Sequence, residues 1–480
     1  MKLTILSAFL FAIPLGAAAT EIPVSAPPLF RVMLEIGKGF KEHFDRTSPD
    51  DGSFFTFDGN LATYVNPRGE TKSVSCPGPV TEPSGPSVDA RRAFWDADRE
   101  TFVHMSYKGD PTLWAMDFKN GICRAITKPG DVFEWRFSFQ AGSRFVYAWN
   151  DIGGAFHVTS VNPATGEVAE LFRCSNHDAS AICSRFDAQD LATARTVGTL
   201  PGARAILRSN HAVYLFGMIG NEPAIATLLS VPSAKGRIDD AVYYAATNEL
   251  YVASKNVDSL GWKEGTAPAF AVTKIDMANF AVSAVWRSNE TLGVELNRIA
   301  PFLLAWGSYD ASSQPHAMFA AVKRIDLKTL AEARFPTARA IPYYLGGLTI
   351  NWYDWFLWDP TFLVHDEVSA HDGEGLPNSL VADRIGANGV AAHVAVDYGE
   401  DLGVIPAEDR MIALDGRELD GRPTTRIYSR PLFDVHAPMT LLATLPGYHS
   451  FYSNSLGYWH RAKVVVYYDA AKKALVRLGL

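Results

Sequence analysis

The sequence predicts an all-β fold assembled from one repeated unit of short antiparallel strands. Three observations carry that prediction. Helical periodicity is confined to one short stretch, Arg31 to Phe44 (RVMLEIGKGFKEHF). Elsewhere, runs of β-branched and aromatic residues are punctuated by Gly, Pro, Asn and Asp. The third observation is a strand–turn–strand phrase that returns along the chain. A composition of 12% aromatics and 37 glycines suits tight turns between pleated, packed strands.

The phrase begins with inner-strand candidates: TFVHMSY from Thr101, RFVYAWN from Arg144, HAVYLFG from His211, ELYVASK from Glu249 and PFLLAWG from Pro301. Each is followed by a second strand that ends in a polar turn, at Asp117, Asn162, Pro232, Asp276 and Asp326. The C-terminal AKVVVYYDAAKKALVRL repeats the phrase with Asp469 in the turn. A four-stranded unit recurring at roughly 40–60 residues marks the blade of a β-propeller. A single twisted sheet has two apolar faces and buries neither alone, whereas neighbouring blades cover both. Five clear units, an irregular region from about Ala338 to Arg430 and the C-terminal unit give seven blades, with six or eight as the adjacent counts. The ring is expected to close by pairing SFFTFDGNLATYV with KVVVYYD. Two packed sandwiches are the competing architecture, and they would not predict the repeated phrase.

With its V-x-x-I-D-x-x-T-G-like phrases, the chain resembles the broad β-propeller superfamily in its quinoprotein-like style. That resemblance implies a propeller over most of the chain. It names no narrower family: a WD signature, a kelch double glycine and an Asp-box are all missing from the sequence.

The N-terminus adds a compartment. Lys2 precedes an apolar run from Leu3 to Ile13, and Ala17-Ala18-Ala19 offers a small-residue cleavage site. Residues 1–19 are therefore expected to be a signal peptide, and residues 20–480 a single propeller domain. The apolar run is too short to span a bilayer. The expected location is extracellular, or periplasmic in a bacterium. Four cysteines in such a chain suggest two disulfides. The short polar loop between Cys174 and Cys183 favours Cys174–Cys183 with Cys76–Cys123. A net charge of −8 argues against a nucleic-acid partner and against an electrostatic grip on anionic membrane. A monomer that binds a glycan or another small ligand is expected.

Chemistry concentrates in NWYDWFLWDPTFLVHDEVSAHDGEG, from Asn351 to Gly375. On a strand, Trp352, Phe356 and Trp358 would share one side, with Tyr353 and Trp355 on the other. Exposed aromatic faces stack on sugar rings, and buried ones fill the wedge between blades. His365, His371 and Asp372 are the candidate catalytic residues, because a carboxylate can orient an imidazole that moves protons near neutral pH. Asp366 and Glu374 are weaker candidates for a divalent cation such as calcium. The bland alternative is a solvated acidic loop. A second cluster, PGYHSFYSNSLGYWH, adds Tyr448 and His449 to the sugar-binding candidates. His104, His157, His211 and His393 lie in apolar runs and read as packing residues that could converge on the axis. Arg204 and Arg339 would suit a uronate carboxylate.

Walker A, dinucleotide, Gly-x-Ser-x-Gly and His-Glu-x-x-His motifs are absent from the sequence. The leading expectation is a secreted polysaccharide lyase or glycosidase. Two alternatives stand beside it: a non-catalytic glycan- or protein-binding propeller, and a small-molecule enzyme (lactonase, cyclase or quinoprotein-type) using the axial channel.

Overall fold

The computed structural model describes residues 19–23, 54–66, 68–80, 93–96, 99–106, 112–127, 134–141, 144–151, 153–162, 165–175, 182–183, 186–202, 204–219, 222–231, 236–255, 270–288, 291, 293–310, 317–334, 340–342, 352–353, 360–367, 379–386, 389–396, 402–405, 410–419, 421–434, 436–449, 456–459, 464–469 and 471–479. The expected helix from Arg31 to Phe44 and residues 1–18 of the expected signal peptide lie outside these residues, and its last residue, Ala19, lies within them.

The described residues form nine antiparallel sheets that follow one another along the chain. The first holds Phe54–Asp58, Leu61–Val65 and Thr71–Ser75. The second holds Ala93–Asp96, Thr101–Ser106, Thr112–Asp117 and Ile122–Ala125, and the third Glu134–Ala141, Arg144–Asn150, Phe156–Val161 and Val168–Cys174. The fourth holds Arg195–Leu200, Arg204–Arg208, Ala212–Ile219 and Glu222–Ser230. The fifth holds Arg237–Tyr244, Glu249–Lys255, Phe270–Asp276 and Ala281–Ser288. The sixth runs Gly293–Leu296, Phe302–Asp310, Ala317–Asp326 and Glu332–Arg334, with Ala340–Pro342 pairing beside the last. The seventh holds Trp352–Tyr353, Phe362–Glu367, Ser379–Gly386 and Gly389–Val396. The eighth holds Leu402–Ile405, Arg410–Leu419, Arg422–Pro431 and Thr440–Pro446. The ninth joins Leu456–Trp459, Val464–Asp469 and Ala474–Gly479 to the N-terminal strand Ala19–Pro23.

Period-two alternation stacks each sheet on the next. Along Arg144–Asn150, Phe145 and Tyr147 join the cluster shared with Val103, Leu113 and Ala115 of the second sheet. Val146 and Ala148 face the other way, into the cluster with Ala205, Tyr214 and Phe216 of the fourth. The first and second sheets meet through stacked Phe55 and Phe102, with centroids 4.1 Å apart. Apolar clusters likewise join the fourth to the fifth, the fifth to the sixth, and the eighth to the ninth. Arg324 ties the sixth sheet to the seventh by donating to Pro360 O at 3.0 Å. The first strands of the third to sixth sheets pack side by side, which makes them the inner strands. Serial four-stranded meanders packed face to face define a fold of β-propeller type.

Several expectations need correction. The repeat predicts seven units, where the described residues carry nine sheets. The irregular region from Ala338 to Arg430 holds one complete regular sheet and most of another, and SFFTFDGNLATYV makes a sheet of its own. Its strands pair with each other and with Thr71–Ser75, not with Val464–Asp469. The N-terminal strand that completes the C-terminal sheet is Ala19–Pro23, in register from Ala19 opposite Leu478 to Pro23 opposite Ala474. The strongly apolar phrases expected to be inner strands are second strands, and HAVYLFG contributes a third strand. Of the first strands, RTVGTL and RIDDAVYY are more polar than the apolar phrases. His104, His157, His211 and His393 therefore do not sit on inner strands.

The turn signal has a geometric cause. Asp117, Asp276, Asp326 and Asp469 each accept a backbone N–H two or three residues on, at 2.9, 2.9, 2.8 and 3.0 Å. Four residues after each Asp, the chain turns through positive φ, at Gly121, Phe280, Leu330 and Lys473. Only glycine adopts that conformation freely. The cysteines pair as the spacing favoured, Cys76 with Cys123 and Cys174 with Cys183. Among the described residues, no helix is long and apolar enough to cross a membrane.

Candidate functional site

In each meander the first strand begins at the end of the sheet where the second strand finishes. The fourth and fifth sheets connect to their successors by short links, Ser230 to Arg237 and Ser288 to Gly293, so those inner strands start at a common end. The register at the corresponding end of six sheets gives a row of first-strand/second-strand pairs, and the short links place those of the fourth, fifth and sixth sheets at one common end. The row reads Ala93 with His104, Glu134 with Asn150, Arg195 with Arg208, Arg237 with Lys255, Gly293 with Trp306 and Trp352 with His365.

This row places part of the sequence-predicted site. Trp352 stands directly opposite His365. His365 and Asp366 belong to the strand Phe362–Glu367 rather than to a loop. A strand of that composition alternates well enough to pair, and the acidic residues fall where it leaves the sheet. Trp355, Trp358, His371, Asp372 and Glu374 lie outside the described residues, as does Arg339.

Tyr448 and His449 follow the last strand of the eighth sheet, at the end where its first strand begins. Tyr448 is exposed, and its ring lies over Gly416, where an added Cβ would stand 3.4 Å from Cδ1. His449 is fixed. Its backbone N–H donates to Thr425 Oγ1 at 2.8 Å, its Nε2 donates to Pro446 O at 2.8 Å, and its ring meets Tyr467 edge-on. Nδ1 of His449 is buried with no hydrogen-bond partner among the described residues. The bond to a carbonyl fixes the proton on Nε2 and leaves Nδ1 an acceptor.

Sequence reasoning missed a charged constellation at the same end of the third sheet. His157 is buried between two carboxylates, with Nε2 3.1 Å from Asp151 Oδ2 and Nδ1 2.8 Å from Glu170 Oε2. Trp149 stacks on it at 4.2 Å, and Arg173 reaches Asp151 Oδ2 at 3.4 Å. Burial would raise the Asp151 pKa. The His157 and Ala155 hydrogen bonds, with the charges of His157 and Arg173, overcome that and hold it below the ordinary carboxylate value. No spacing rule announces this group, because its members come from one turn and two different strands. Every ring nitrogen is engaged, so the arrangement suits an anchor for the turn rather than a proton shuttle. Arg204 lies at the opposite end of its sheet, with Nε bonded to Pro201 O at 3.0 Å. His211 donates Nδ1–H to Gly236 O at 2.9 Å, as a packing histidine would.

Among the described residues, no group of three His, Cys, Asp or Glu side chains could hold a metal ion. Of the two cation candidates, Asp366 falls on a strand among the described residues, and Glu374 lies outside them.

No family model matches the chain, and no curated protein does. Among solved structures, a dihydro-heme d1 dehydrogenase matches at 11% identity and TM-score 0.40, covering 87% of this chain and 78% of that one. An oligogalacturonate lyase in complex with manganese matches at 9% identity and TM-score 0.34, covering 79% and 96%. TolB from Acinetobacter baumannii matches at 12% identity and TM-score 0.28 over 58% of this chain, which spans 61% of the TolB chain.

Proposed function

We propose that the chain is a propeller exported to an oxidising compartment, where it acts on a carbohydrate at the end of the sheets marked by the row. The observation that carries this reading is the Trp352–His365 pair, which sets an aromatic residue and an imidazole at adjacent register positions. Consecutive sheets act as blades around an axial opening, and the Ala19–Pro23 strand serves as the clasp. His365 takes the proton from the sugar carbon or hydroxyl, with His371 and Asp372 completing the proton path. Trp352, Trp355, Trp358 and Tyr448 offer ring faces to the sugar, with His449 beside Tyr448. A divalent cation such as calcium, held by Asp366 and Glu374, would polarise the sugar if present. Two disulfides support the compartment.

The test is a screen of the purified protein against neutral and acidic polysaccharides, reading unsaturated-uronate absorbance and new reducing ends, with and without chelator. The expected result is turnover that His365→Ala lowers at least 100-fold in a folded protein. Wild-type turnover in that variant would remove His365 from the mechanism. A blank panel with well-folded protein would move the reading to a non-catalytic binder.

A further inference from the structure

The eighth sheet carries a hairpin that outreaches its first strand. Leu402–Ile405 pairs with Arg410–Leu419 only as far as Ala413, whereas Arg410–Leu419 and Arg422–Pro431 stay paired up to Leu419 opposite Arg422. On this extension Gly416 stands opposite Thr425, on the side shared with Leu414 and Ile427 and turned toward the ninth sheet. Asp415 and Arg426, the charged pair next along, fall on the other side. Tyr448 lies over Gly416, with Cδ1 3.4 Å and Cε1 3.9 Å from where a Cβ would stand, and it is 62% exposed. The backbone on either side of it is pinned. Thr425, fully buried, donates its hydroxyl to Gly447 O at 2.9 Å and accepts the His449 N–H at 2.8 Å. The Gly447 N–H donates to Pro423 O at 2.7 Å, at a φ of +88° that glycine adopts freely. His449 closes the turn onto Pro446 O and sets its ring edge-on to Tyr467 of the ninth sheet.

A lone exposed tyrosine is ordinary. One whose two chain neighbours share a single buried hydroxyl is not, because so exposed a ring gives folding little return for fixing it there. We propose that Gly416 and Thr425 are positioning residues that hold Tyr448 as a preformed stacking platform for one pyranose ring of a neutral oligosaccharide. The inference rests on the reading that this end of the sheets binds a glycan, and it names the property of the glycan that is read here. With no side chain at Gly416, the tyrosine ring settles against the hairpin backbone, and a branched side chain there would lift it. An aromatic face and the C–H face of a sugar ring attract through dispersion and exclusion of water, and neither needs charge. The Asp415–Arg426 pair turns the other way, so the platform reads ring shape rather than an anionic group. A ring already fixed loses little freedom when a sugar lands on it, and the rigidity set by Thr425 becomes affinity.

Calorimetric titration of the full chain with cellohexaose, xylohexaose and mannohexaose tests the platform. At least one should bind, with affinities at about 50 and about 200 mM salt that agree within about twofold, because no charge is engaged. Against the tightest of the three, Tyr448→Ala should weaken binding about 10-fold and Tyr448→Phe less than about twofold. Gly416→Val and Thr425→Val should each weaken it about fivefold, and Thr425→Ser, which keeps the hydroxyl, should hold it near wild type. In a Tyr448→Ala background, Gly416→Val and Thr425→Val should cost no further affinity, whereas a merely structural loss would persist there. Failure of all three sugars to bind, wild-type affinity in Tyr448→Ala, or undiminished effects of Gly416→Val and Thr425→Val in the Tyr448→Ala background would each overturn the proposal. The titration reads binding alone, so its failure is distinguishable from loss of the His365 reading, which the turnover screen decides.

Discussion

Removing each disulfide in turn should destabilise the protein by unequal and calculable amounts. Cys76–Cys123 closes a separation of 47 residues, and Cys174–Cys183 closes 9. Loop-closure entropy scales with the logarithm of that length, which gives about 4 kcal/mol for the first bridge and about 2.6 kcal/mol for the second. Both sites are well packed, with Cys76 3% and Cys174 6% exposed, so neither bridge is a loose surface staple. The first bridge also joins the end of the first sheet to the outer strand of the second, where a lost cross-link frees a whole sheet. The perturbations are Cys76→Ala/Cys123→Ala and Cys174→Ala/Cys183→Ala. Urea unfolding, followed by tryptophan fluorescence and far-UV circular dichroism together, gives the midpoints. With a slope of about 3 kcal/mol per molar, the shifts are about 1.3 M and 0.9 M. A larger slope shrinks both and preserves their ratio of about 1.5. Equal shifts, or a larger one for Cys174/Cys183, would refute the entropic argument and show that local packing around each bridge outweighs chain entropy.

Two further outcomes follow from the interior. Asp240 bonds Arg298 Nη1 at 2.9 Å and the Leu296 N–H at 3.1 Å, with both charged side chains about 10% exposed. Asp240→Ala removes the carboxylate that neutralises a buried guanidinium and should cost about 3–5 kcal/mol, while Asp240→Leu/Arg298→Met should recover most of it. At about 2.1 cal/mol/K per residue over 480 residues, the single change lowers the melting point by about 3–5 °C, and a drop under 1 °C would mean water reaches Arg298. In the Asp turns, an added Cβ at Gly121 meets nothing within 4 Å, so Gly121→Ala should lose about 1 kcal/mol from positive φ alone. Leu330→Gly at the matching turn should stay within about 0.5 kcal/mol of wild type, because relief of strain and added chain entropy nearly cancel. Denaturant midpoints check both, and a costless Gly121→Ala would contradict the turn geometry.

The scaffold was legible where chemistry is local. An Asp that accepts its own downstream N–H leaves a signature within five residues, and apolar alternation marks strands that are covered on both faces. Cysteine spacing carried the pairing for a similar reason, since Cys174 and Cys183 flank one short loop. Order within each sheet was not legible. Apolarity points to RFVYAWN as an innermost strand, yet it is a second strand covered by two neighbouring sheets, whereas the first strand Arg195–Leu200 opens with Arg195 and Thr196 and carries Thr199 near its other end. The seventh sheet escaped the repeat because no Asp stands between its last two strands, Ser379–Gly386 and Gly389–Val396. The basic pairs of the row escaped because Arg195 and Arg208 lie 13 positions apart, and Arg237 and Lys255 lie 18 apart; only strand register sets each pair side by side.

That difference bears on where function sits in such a fold. Packing constrains the middle of a strand covered on both faces, since each residue there must fit one of two neighbouring sheets; burial of Phe145, Val146, Tyr147 and Ala148 in opposite clusters shows how little freedom remains. The row escapes that constraint because it lies at the strand ends. A residue there can be exchanged for charge or aromatic area without opening a cavity. The cost is local electrostatics, as the Arg195–Arg208 pair shows, and like charges are tolerated side by side only where something else compensates. Arg208 finds part of that compensation in the carbonyls of Ile238 and Asp239, and Arg237 finds it in the Asp239 carboxylate.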